Sequence, residues 1–222
     1  MIIIIKQVVK IGGSLFPDHA INLARRLENT SSVIILGGGE FANLIRKYDS
    51  QINFSDEANH WAAIECMDIT ARLVSDKVES ARLAYTIEEI EKISDDGLTP
   101  IFAVSDFLRR EDPFECSWDV TSDSIAAYVA HLLNANLLIV TDVNGIYTQE
   151  PKEPGSTFIS KIDATTVLTF QESSIDVMLP TLLLRYGSDC YVVNGKYPER
   201  VMSLIDDNIN DYNFDYTQII GE

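Results

Sequence analysis

Two glycine-rich stretches near the N-terminus have the composition of loops that bind phosphate groups. They are Gly12-Gly13-Ser14 and Gly37-Gly38-Gly39, and each follows an apolar run typical of a buried strand. Glycines at a strand end let the backbone approach a ligand closely, with N–H groups free to bind an anion. Lys10, two residues before the first loop, adds a positive charge. A lysine that extends to solvent beside a tight turn would give the same local pattern.

Regular elements must position these loops. One strand is predicted at residues 2–9 and the next at Ser32–Leu36, and helical patterns follow at residues 18–27 and 40–48. Consecutive β–α units of a parallel sheet place their loops along one edge of the sheet. We therefore expect the two glycine loops to lie side by side, as a site for a phosphate donor and a phosphate acceptor.

The rest of the chain continues to alternate between helix and strand. This alternation predicts an α/β fold in which an open, mainly parallel sheet is sandwiched between helices. No linker or repeat interrupts it, so residues 1–222 are predicted to form a single domain. Residues 105–116 are predicted to form a solvated polar loop. Further strands are predicted at residues 100–104, 137–140, 190–193 and 214–220, and further helices at residues 86–93, 125–133, 163–170 and 175–186, from Asp56 and from Pro198.

The charge of the chain limits its partners. Asp and Glu number 34 against 17 Lys and Arg, which gives a formal net charge of −17. Such a surface repels nucleic acids and anionic lipids, so neither nucleic acid nor membrane is expected as a partner. No run approaches the length of a membrane span, and the cysteines are odd in number and scattered, which favours a soluble protein of the reducing cytoplasm. The cysteines are Cys66, Cys116 and Cys190.

Three further groups of residues could contribute to a site, but each also has a structural explanation. Ser122 or Asp123 could simply cap the helix at residues 125–133. Asn144-Gly145, after the strand at residues 137–140, would alone predict a hairpin turn. His60 lies near the start of a long helix, where a histidine is more often a surface or capping residue than a ligand.

Four segments in this order resemble the amino acid kinase superfamily. They are Lys-Ile-Gly-Gly-Ser at 10–14, Leu-Gly-Gly-Gly at 36–39, Thr-Ser-Asp-Ser-Ile-Ala-Ala at 121–127 and Thr-Asp-Val-Asn-Gly-Ile-Tyr-Thr at 141–148. Val-Val-Asn-Gly at 192–195 extends the resemblance over about the whole chain. The superfamily phosphorylates carboxylates, carbamate or phosphate monoesters with ATP and Mg²⁺. Within it, residues 118–127 and the short chain most resemble the archaeal kinases of methanofuran biosynthesis, which convert the phosphate monoester of 5-(aminomethyl)-3-furanmethanol to a diphosphate.

The resemblance implies a role for each segment. Lys10 would lie against the transferred phosphoryl group, and Asp123 would hold Lys10 in place, as the two catalytic residues. Gly37, Gly38 and Gly39, with His60 and Ser122, would bind the small phosphorylated substrate. The resemblance also implies a homo-oligomer, an acceptor-side lobe at about 1–120, a nucleotide-side lobe at about 121–222 and no metal ligand from the protein. ATP, with Mg²⁺, would be bound by Gly12, Gly13, Ser14, Thr141, Asp142, Gly145, Ile146, Tyr147, Asn194, Gly195 and Lys196.

One segment departs from the superfamily. Many members have Gly-Gly-Met-x-x-Lys before the last core helix, and that lysine supports the leaving ADP. Here residues 176–181 read Asp-Val-Met-Leu-Pro-Thr, so Thr181 stands at the lysine position, and Lys161 or Lys196 could supply the charge instead. Two alternatives stay open: a uridylate kinase, which also lacks that lysine, and a non-catalytic ATP- or oxyanion-binding or storage protein on the same fold. A dinucleotide dehydrogenase is disfavoured because Gly12-Gly13-Ser14 does not complete Gly-x-Gly-x-x-Gly.

The substrate implied by the resemblance carries an ammonium group as well as a phosphate. An ammonium group would need a carboxylate within hydrogen-bonding distance. Each candidate also has an ordinary capping or surface explanation, above all Asp56 as a helix N-cap. The candidates on the acceptor side are Asp49, Asp56, Glu57 and Asp106.

Overall fold

An eight-stranded sheet runs through the centre of the protein. The computed structural model describes residues 4–149, 151–170, 174–206 and 213–222. The strands are β1 (Gln7–Ile11), β2 (Ser32–Leu36), β3 (Ala81–Ala84), β4 (Thr99–Phe102), β5 (Asn136–Thr141), β8 (Lys161–Asp163), β9 (Cys190–Asn194) and β10 (Thr217–Ile220), and a separate ribbon pairs β6 (Ile146–Tyr147) with β7 (Phe158–Ile159). The order is β3-β4-β2-β1-β5-β9-β10-β8, and neighbours are parallel except β9 and β10.

Helices cover both faces of the sheet, which confirms the predicted α/β sandwich. Alternate residues of each central strand point to opposite faces, so Val8 lies in one hydrophobic core and Val9 in the other. In the described part of the chain, no helix is both long and apolar enough to span a membrane. The helices are α1 (Asp18–Arg26), α2 (Gly39–Ile52), α3 (Asp56–Lys77), α4 (Ile87–Asp95), α5 (Ser105–Glu111), α6 (Ser122–Leu133), α7 (Ala164–Val167), α8 (Leu179–Tyr186) and α9 (Pro198–Ile205).

The first strand begins later than its apolar run predicts. The prediction of residues 2–9 was wrong, because β1 spans Gln7–Ile11 and Ile4 is 72% exposed; Ile2 and Ile3 lie outside the described residues. Gln7 is in register with the first residue of β2, Ser32, and with the first residue of β5, Asn136. Strand pairing with both neighbours, and not the apolar run itself, therefore sets where β1 starts.

A helix, not a loop, follows β4. Residues 105–116 were predicted to be a polar loop, but Ser105–Glu111 forms α5 and buries Phe107 and Leu108. The N-terminus of α5 is capped from α3, because the Ser105 backbone N–H and hydroxyl both donate to the carboxylate of Asp68. The short strands β3 and β8 were also missed by the prediction. Two predicted helices are shorter than expected: α7 covers less than residues 163–170, and α8 begins at Leu179 and not at residue 175.

Candidate active site

The carboxyl ends of four central strands bring the motif segments to one edge of the sheet. β1, β2, β5 and β9 run parallel, and they are followed by residues 12–14, 37–39, 142–145 and 195–196 respectively. From β1 the chain builds one half of the sheet, through β2, β3 and β4, and then returns to place β5 on the other side of β1. Such a switch point opens a crevice where α/β sheets bind ligands.

The two glycine loops lie side by side, with their backbones in contact. A Cβ atom built on Gly13 would be 2.2 Å from the backbone nitrogen of Gly39, and one built on Gly37 would be 2.7 Å from the nitrogen of Gly13. No side chain fits at either position. Gly39 has a φ of +56° and begins α2, so the amino end of that helix lies at the second loop.

Lys10 and Asp123 form a buried ion pair beside the first loop. Lys10 Nζ is 2.7 Å from Asp123 Oδ1, and the two side chains are 9% and 6% exposed. Asp123 Oδ2 accepts the backbone N–H of Asp176 at 3.0 Å. An ammonium group has three N–H donors, so Lys10 keeps donors for a ligand that lies in the crevice. Asp123 meanwhile has a partner on each oxygen.

The amino end of α6 is capped by a carboxylate from a distant segment. Ser122 and Asp123 were predicted as candidate caps, but α6 begins after Thr121, and Asp176 accepts the backbone N–H groups of Thr121 and Ser124. Burial, and next the negative charge of Asp123, raises the pKa of Asp176, although hydrogen bonds from Ser124 and Thr121 act in the opposite direction. Asp123 is thereby free of a capping role.

Asp142 connects three of the residues assigned to the nucleotide. Its Oδ1 accepts the hydroxyl of Ser14 at 3.2 Å, and its Oδ2 lies 3.4 Å from Lys196 Nζ. Its backbone oxygen accepts the side-chain amide of Asn194 at 3.3 Å. The first glycine loop, the end of β5 and the turn after β9 are therefore linked by side chains at the surface of the crevice.

The other residues assigned to the nucleotide lie in or beside the core. Thr141 is 8% exposed, and its carbonyl accepts the Gly195 N–H at 2.8 Å. Ile146 is fully buried, so its side chain packs in the core and does not face the crevice. Asn144-Gly145 forms no hairpin, because the following β6, with Tyr147, pairs with β7 instead.

A pocket of about 70 Å³ lies on the acceptor side of the second loop. His60 is 4% exposed, and its Nδ1 lies 3.3 Å from the Ser117 carbonyl. A carbonyl oxygen only accepts, so the Nδ1–H group of His60 donates this hydrogen bond. The pocket is lined by Gly38, His60 and Ser122, with Arg46, Thr121, Trp118 and apolar residues of α2, α3 and α6.

Sequence reasoning missed Arg46 and Trp118. The Arg46 guanidinium lies 4.5 Å from the centroid of the Trp118 ring, a cation–π contact at the pocket. Arg46 follows Gly38 and Ala42 at a spacing of four, so the sequence holds a signal that these residues share one face of α2. The pairing with Trp118 joins residues distant in sequence, and no local pattern predicts it.

Asp49 lies next to Trp118 at the end of α2. Its Oδ2 accepts the Trp118 indole N–H at 3.3 Å, and its Oδ1 accepts the Phe54 N–H at 3.0 Å. Hydrogen bonds from Asn59, Trp118 and Phe54 lower the pKa of Asp49. Asn59 is 3% exposed, and its side-chain oxygen has no hydrogen-bond partner among the described residues. This corner of the protein therefore combines an ionised carboxylate with an unused acceptor.

A larger cavity, of about 570 Å³, lies at the opposite end of the sheet, where β1, β5 and β9 begin. None of the residues described as lining it is a lysine or an arginine, so it lacks the cations that a phosphate site uses. Within the described ranges, no three His, Cys, Asp or Glu side chains are grouped closely enough to hold a metal ion.

Comparisons with known proteins show the family and the fold of the chain. The amino acid kinase family model matches residues 6–194. The chain is 36% identical over 221 residues to the [5-(aminomethyl)furan-3-yl]methyl phosphate kinase of Methanocaldococcus jannaschii, with 97% of this chain and 98% of that protein covered. It is 25% identical to the uridylate kinase of Natronomonas pharaonis, with 90% and 93% covered. The structure of uridylate kinase from Archaeoglobus fulgidus superposes with a TM-score of 0.72 at 19% identity and covers 96% of this chain and 99% of that one. The chain therefore belongs to the amino acid kinase family.

Proposed function

We propose that this protein transfers the terminal phosphoryl group of ATP to the phosphate of [5-(aminomethyl)furan-3-yl]methyl phosphate, here called aminofuran phosphate, to give a diphosphate. The observation that carries the proposal is the buried Lys10–Asp123 pair beside two glycine loops in backbone contact. The identity of 36% over nearly the whole length to a kinase named for that substrate supports the choice of acceptor.

Lys10 would neutralise the charge that the transferred group shares with its donor and acceptor oxygens. A phosphate monoester is already a nucleophile near pH 7, so the reaction needs no strong base. This agrees with Asp123, whose two oxygens face Lys10 and the Asp176 N–H and which would orient Lys10 without taking up a proton. In-line transfer then depends on how closely the two glycine loops align the phosphates.

ATP would lie on the side of Ser14, Asp142 and Lys196. Mg²⁺ suits this site as a part of the nucleotide complex, because Mg²⁺ is commonly held by one or two carboxylates together with substrate phosphates. When bound, it would neutralise phosphate charge. Of the two lysines that could replace the one missing at Thr181, Lys196 contacts Asp142, whereas Lys161 lies in β8 at the edge of the sheet. Lys196 is therefore the better candidate to support the leaving ADP.

The acceptor phosphate would be bound by the second glycine loop, with Arg46 and His60 in the pocket beside it. Of the four carboxylates proposed for the ammonium group, Asp49 is favoured, because Trp118 joins it to the pocket and the unused Asn59 oxygen lies beside it. Asp56, Glu57 and Asp106 are exposed residues in the first turns of α3 and α5. The predicted capping role of Asp56 was wrong, since Ser55 caps α3 by accepting the Ala58 N–H at 3.2 Å.

The proposal is tested by measuring ADP formation from ATP and Mg²⁺ with a panel of phosphate monoesters that includes aminofuran phosphate and UMP. We expect ADP only when an acceptor is present, because a closed site keeps water from the phosphoryl group, and we expect aminofuran phosphate to have the highest kcat/KM. A higher kcat/KM for UMP would replace the proposal by the uridylate kinase alternative. Tight ATP binding without acceptor-dependent ADP formation would favour the binding or storage alternative.

We also propose that the protein is a homo-oligomer of the cytoplasm. Helix α2 carries an exposed apolar stripe, Phe41, Leu44, Tyr48 and Ile52, and buries none of its residues in the single chain. Apolar surface of this kind is typical of a face that is covered by another chain.

A further inference from the structure

The side chain of Asp176 joins the start of α6 to the start of α8. Its Oδ2 accepts the backbone N–H groups of Thr121 at 3.0 Å and Ser124 at 2.9 Å, and its Oδ1 accepts the N–H of Leu179 at 2.8 Å. The hydroxyls of Thr121 and Ser124 also donate to it. Five donors from two helices therefore converge on one carboxylate, which fixes the backbone at residue 176 relative to both.

That fixed backbone is in contact with the catalytic pair. The N–H of Asp176 donates to Asp123 Oδ2 at 3.0 Å, and Asp123 Oδ1 lies 2.7 Å from Lys10 Nζ. The plane of the Asp123 carboxylate is thus set by one partner on each oxygen. If residue 176 moves, the carboxylate loses one of its two partners and is free to rotate, and Lys10 moves with it.

We infer that Asp176 is a positioning residue for phosphoryl transfer: it holds Asp123, and through Asp123 the Lys10 ammonium, in the orientation that the reaction requires. This inference rests on the proposed kinase function. Asp176 acts only through Asp123, and no contact between Asp176 and a substrate is involved.

The chemistry of residue 176 argues against a purely structural cap. A neutral serine or asparagine would cap a helix without placing a second carboxylate close to Asp123. Burial, and next the negative charge of Asp123, disfavours the ionised form of Asp176 and raises its pKa. A carboxylate is nevertheless the side chain that accepts from every side and donates nothing, which the five converging donors require. The repulsion between the two carboxylates is thus destabilising, but the five hydrogen bonds to Asp176 fix the backbone beside Asp123.

The experiment compares Asp176→Ala with Asp68→Ala, a matched control. Asp68 is also a carboxylate with a raised pKa that caps a helix from a distant segment, but its bonds go to Ser105 and not to the Lys10–Asp123 pair. Steady-state kinetics use the phosphate monoester that the wild type converts best, whichever it is. A wrong acceptor assignment and a wrong role for Asp176 are therefore distinguished.

We expect Asp176→Ala to lower kcat roughly ten- to a hundredfold, with the KM for ATP changed by less than about threefold, because misplacement of a catalytic group acts on the transition state. Asp68→Ala should lower the Tm but leave kcat within about twofold of wild type. In the background of Asp123→Asn, Asp176→Ala should cause no further loss of kcat, because the two residues act as one unit.

An unchanged kcat in Asp176→Ala, an equal loss in Asp68→Ala, or losses that add in the double variant would each overturn the inference. Should Asp176→Ala not fold, Ser124→Ala decides the question, because it removes one of the five donors and leaves the carboxylate in place. It should lower kcat by about two- to fivefold, in keeping with the loss of one hydrogen bond. Wild-type kcat in a folded Ser124→Ala protein would then contradict the role of Asp176.

Discussion

Lys10 and Asp123 are charged residues in a place where charge is destabilising. Both side chains are less than a tenth exposed, and taking an ion pair out of water costs about as much as the pair regains. A hydrophobic pair would serve the fold as well. Their presence at the carboxyl edge of the sheet is in keeping with the proposed phosphoryl transfer, which needs a fixed positive charge.

The first prediction concerns Lys10. Lys10→Ala should lower kcat by about a hundredfold or more while the Kd for ATP changes by less than about threefold, because in the proposed mechanism the ammonium stabilises charge that develops in the transition state. Stopped-assay kinetics give kcat, and calorimetric titration gives the Kd. Asp123→Asn should lower kcat less than Lys10→Ala does, since the proposed role of Asp123 is to orient Lys10. Equal losses in kcat and ATP affinity would contradict this role.

The second prediction concerns Asp49 and the ammonium group of the proposed substrate. Asp49→Asn should raise the KM for aminofuran phosphate roughly ten- to a hundredfold, because it replaces a charge-assisted hydrogen bond by a neutral one. The control substrate is the hydroxymethyl analogue, which lacks the amine. It should be a poor substrate for the wild type and should be unaffected by the substitution. Equal turnover of amine and analogue by the wild type would show that the amine is not recognised.

At the scale of elements, two helices of this protein begin where a carboxylate from another segment meets them. Asp68 of α3 caps α5, and Asp176 caps α6. By contrast, Thr86 caps α4 locally, by accepting the N–H of Glu89 at 3.2 Å. The distant caps tie α3 to α5 and the segment before α8 to α6, so helix capping also serves here to fix elements relative to one another.

The third prediction follows from the raised pKa of Asp68, which burial causes. The carboxyl group of Asp68 binds its proton more tightly in the folded state than in the unfolded chain. The stabilisation from this protonation is therefore complete below the pKa of the unfolded state and is lost as pH rises through the pKa of the folded state. Asp68→Asn cannot titrate. The free energy of unfolding of the wild type minus that of the variant should therefore fall as pH rises from about 4 and then level off. Urea unfolding of both proteins across this range measures it, and a difference independent of pH would refute it.

The features that the sequence predicted correctly are those set by residues close to one another along the chain. Apolar periodicity and strand–glycine–helix spacing gave the α/β sandwich and the two loops, and Thr86 with Glu89 marked a helix start. It did not predict α5, because the cap of α5 comes from Asp68 of another helix. It also did not predict that Arg46 and Trp118 meet, because their contact arises only when α2 and the segment before α6 pack together. These two tertiary contacts were therefore missed, whereas the contact between Lys10 and Asp123 was expected from the family resemblance.

At the scale of the whole molecule, a strongly acidic chain carries an exposed apolar stripe on α2. The formal net charge is −17, yet Phe41, Leu44, Tyr48 and Ile52 are 37% to 61% exposed along one face of α2. Charge keeps copies of the chain apart at long range, whereas an apolar stripe favours contact at short range. Association through α2 would bury that stripe.

The fourth prediction concerns this association. Light scattering after gel filtration should give the wild type a mass of at least twice the 24.8 kDa of the chain. Leu44→Asp should shift the protein to the single-chain mass, because it places a charge in the centre of the stripe. The matched control is Leu132→Asp, at another exposed leucine on α6, which should leave the mass unchanged. A single-chain wild type, or equal effects of both substitutions, would exclude α2 as the contact.

The backbone contact between Gly13 and the loop at residues 37–39 has a consequence for how this enzyme can evolve. The loop assigned to ATP and the loop assigned to the acceptor share one wall with no side chain between them. A shift of either loop displaces the other, so the affinities for the two substrates cannot be adjusted independently at this wall. If the proposed function holds, selectivity for a different acceptor would have to change at the outer end of the pocket, around Arg46 and Trp118, while the binding sites of the two phosphate ends stay the same.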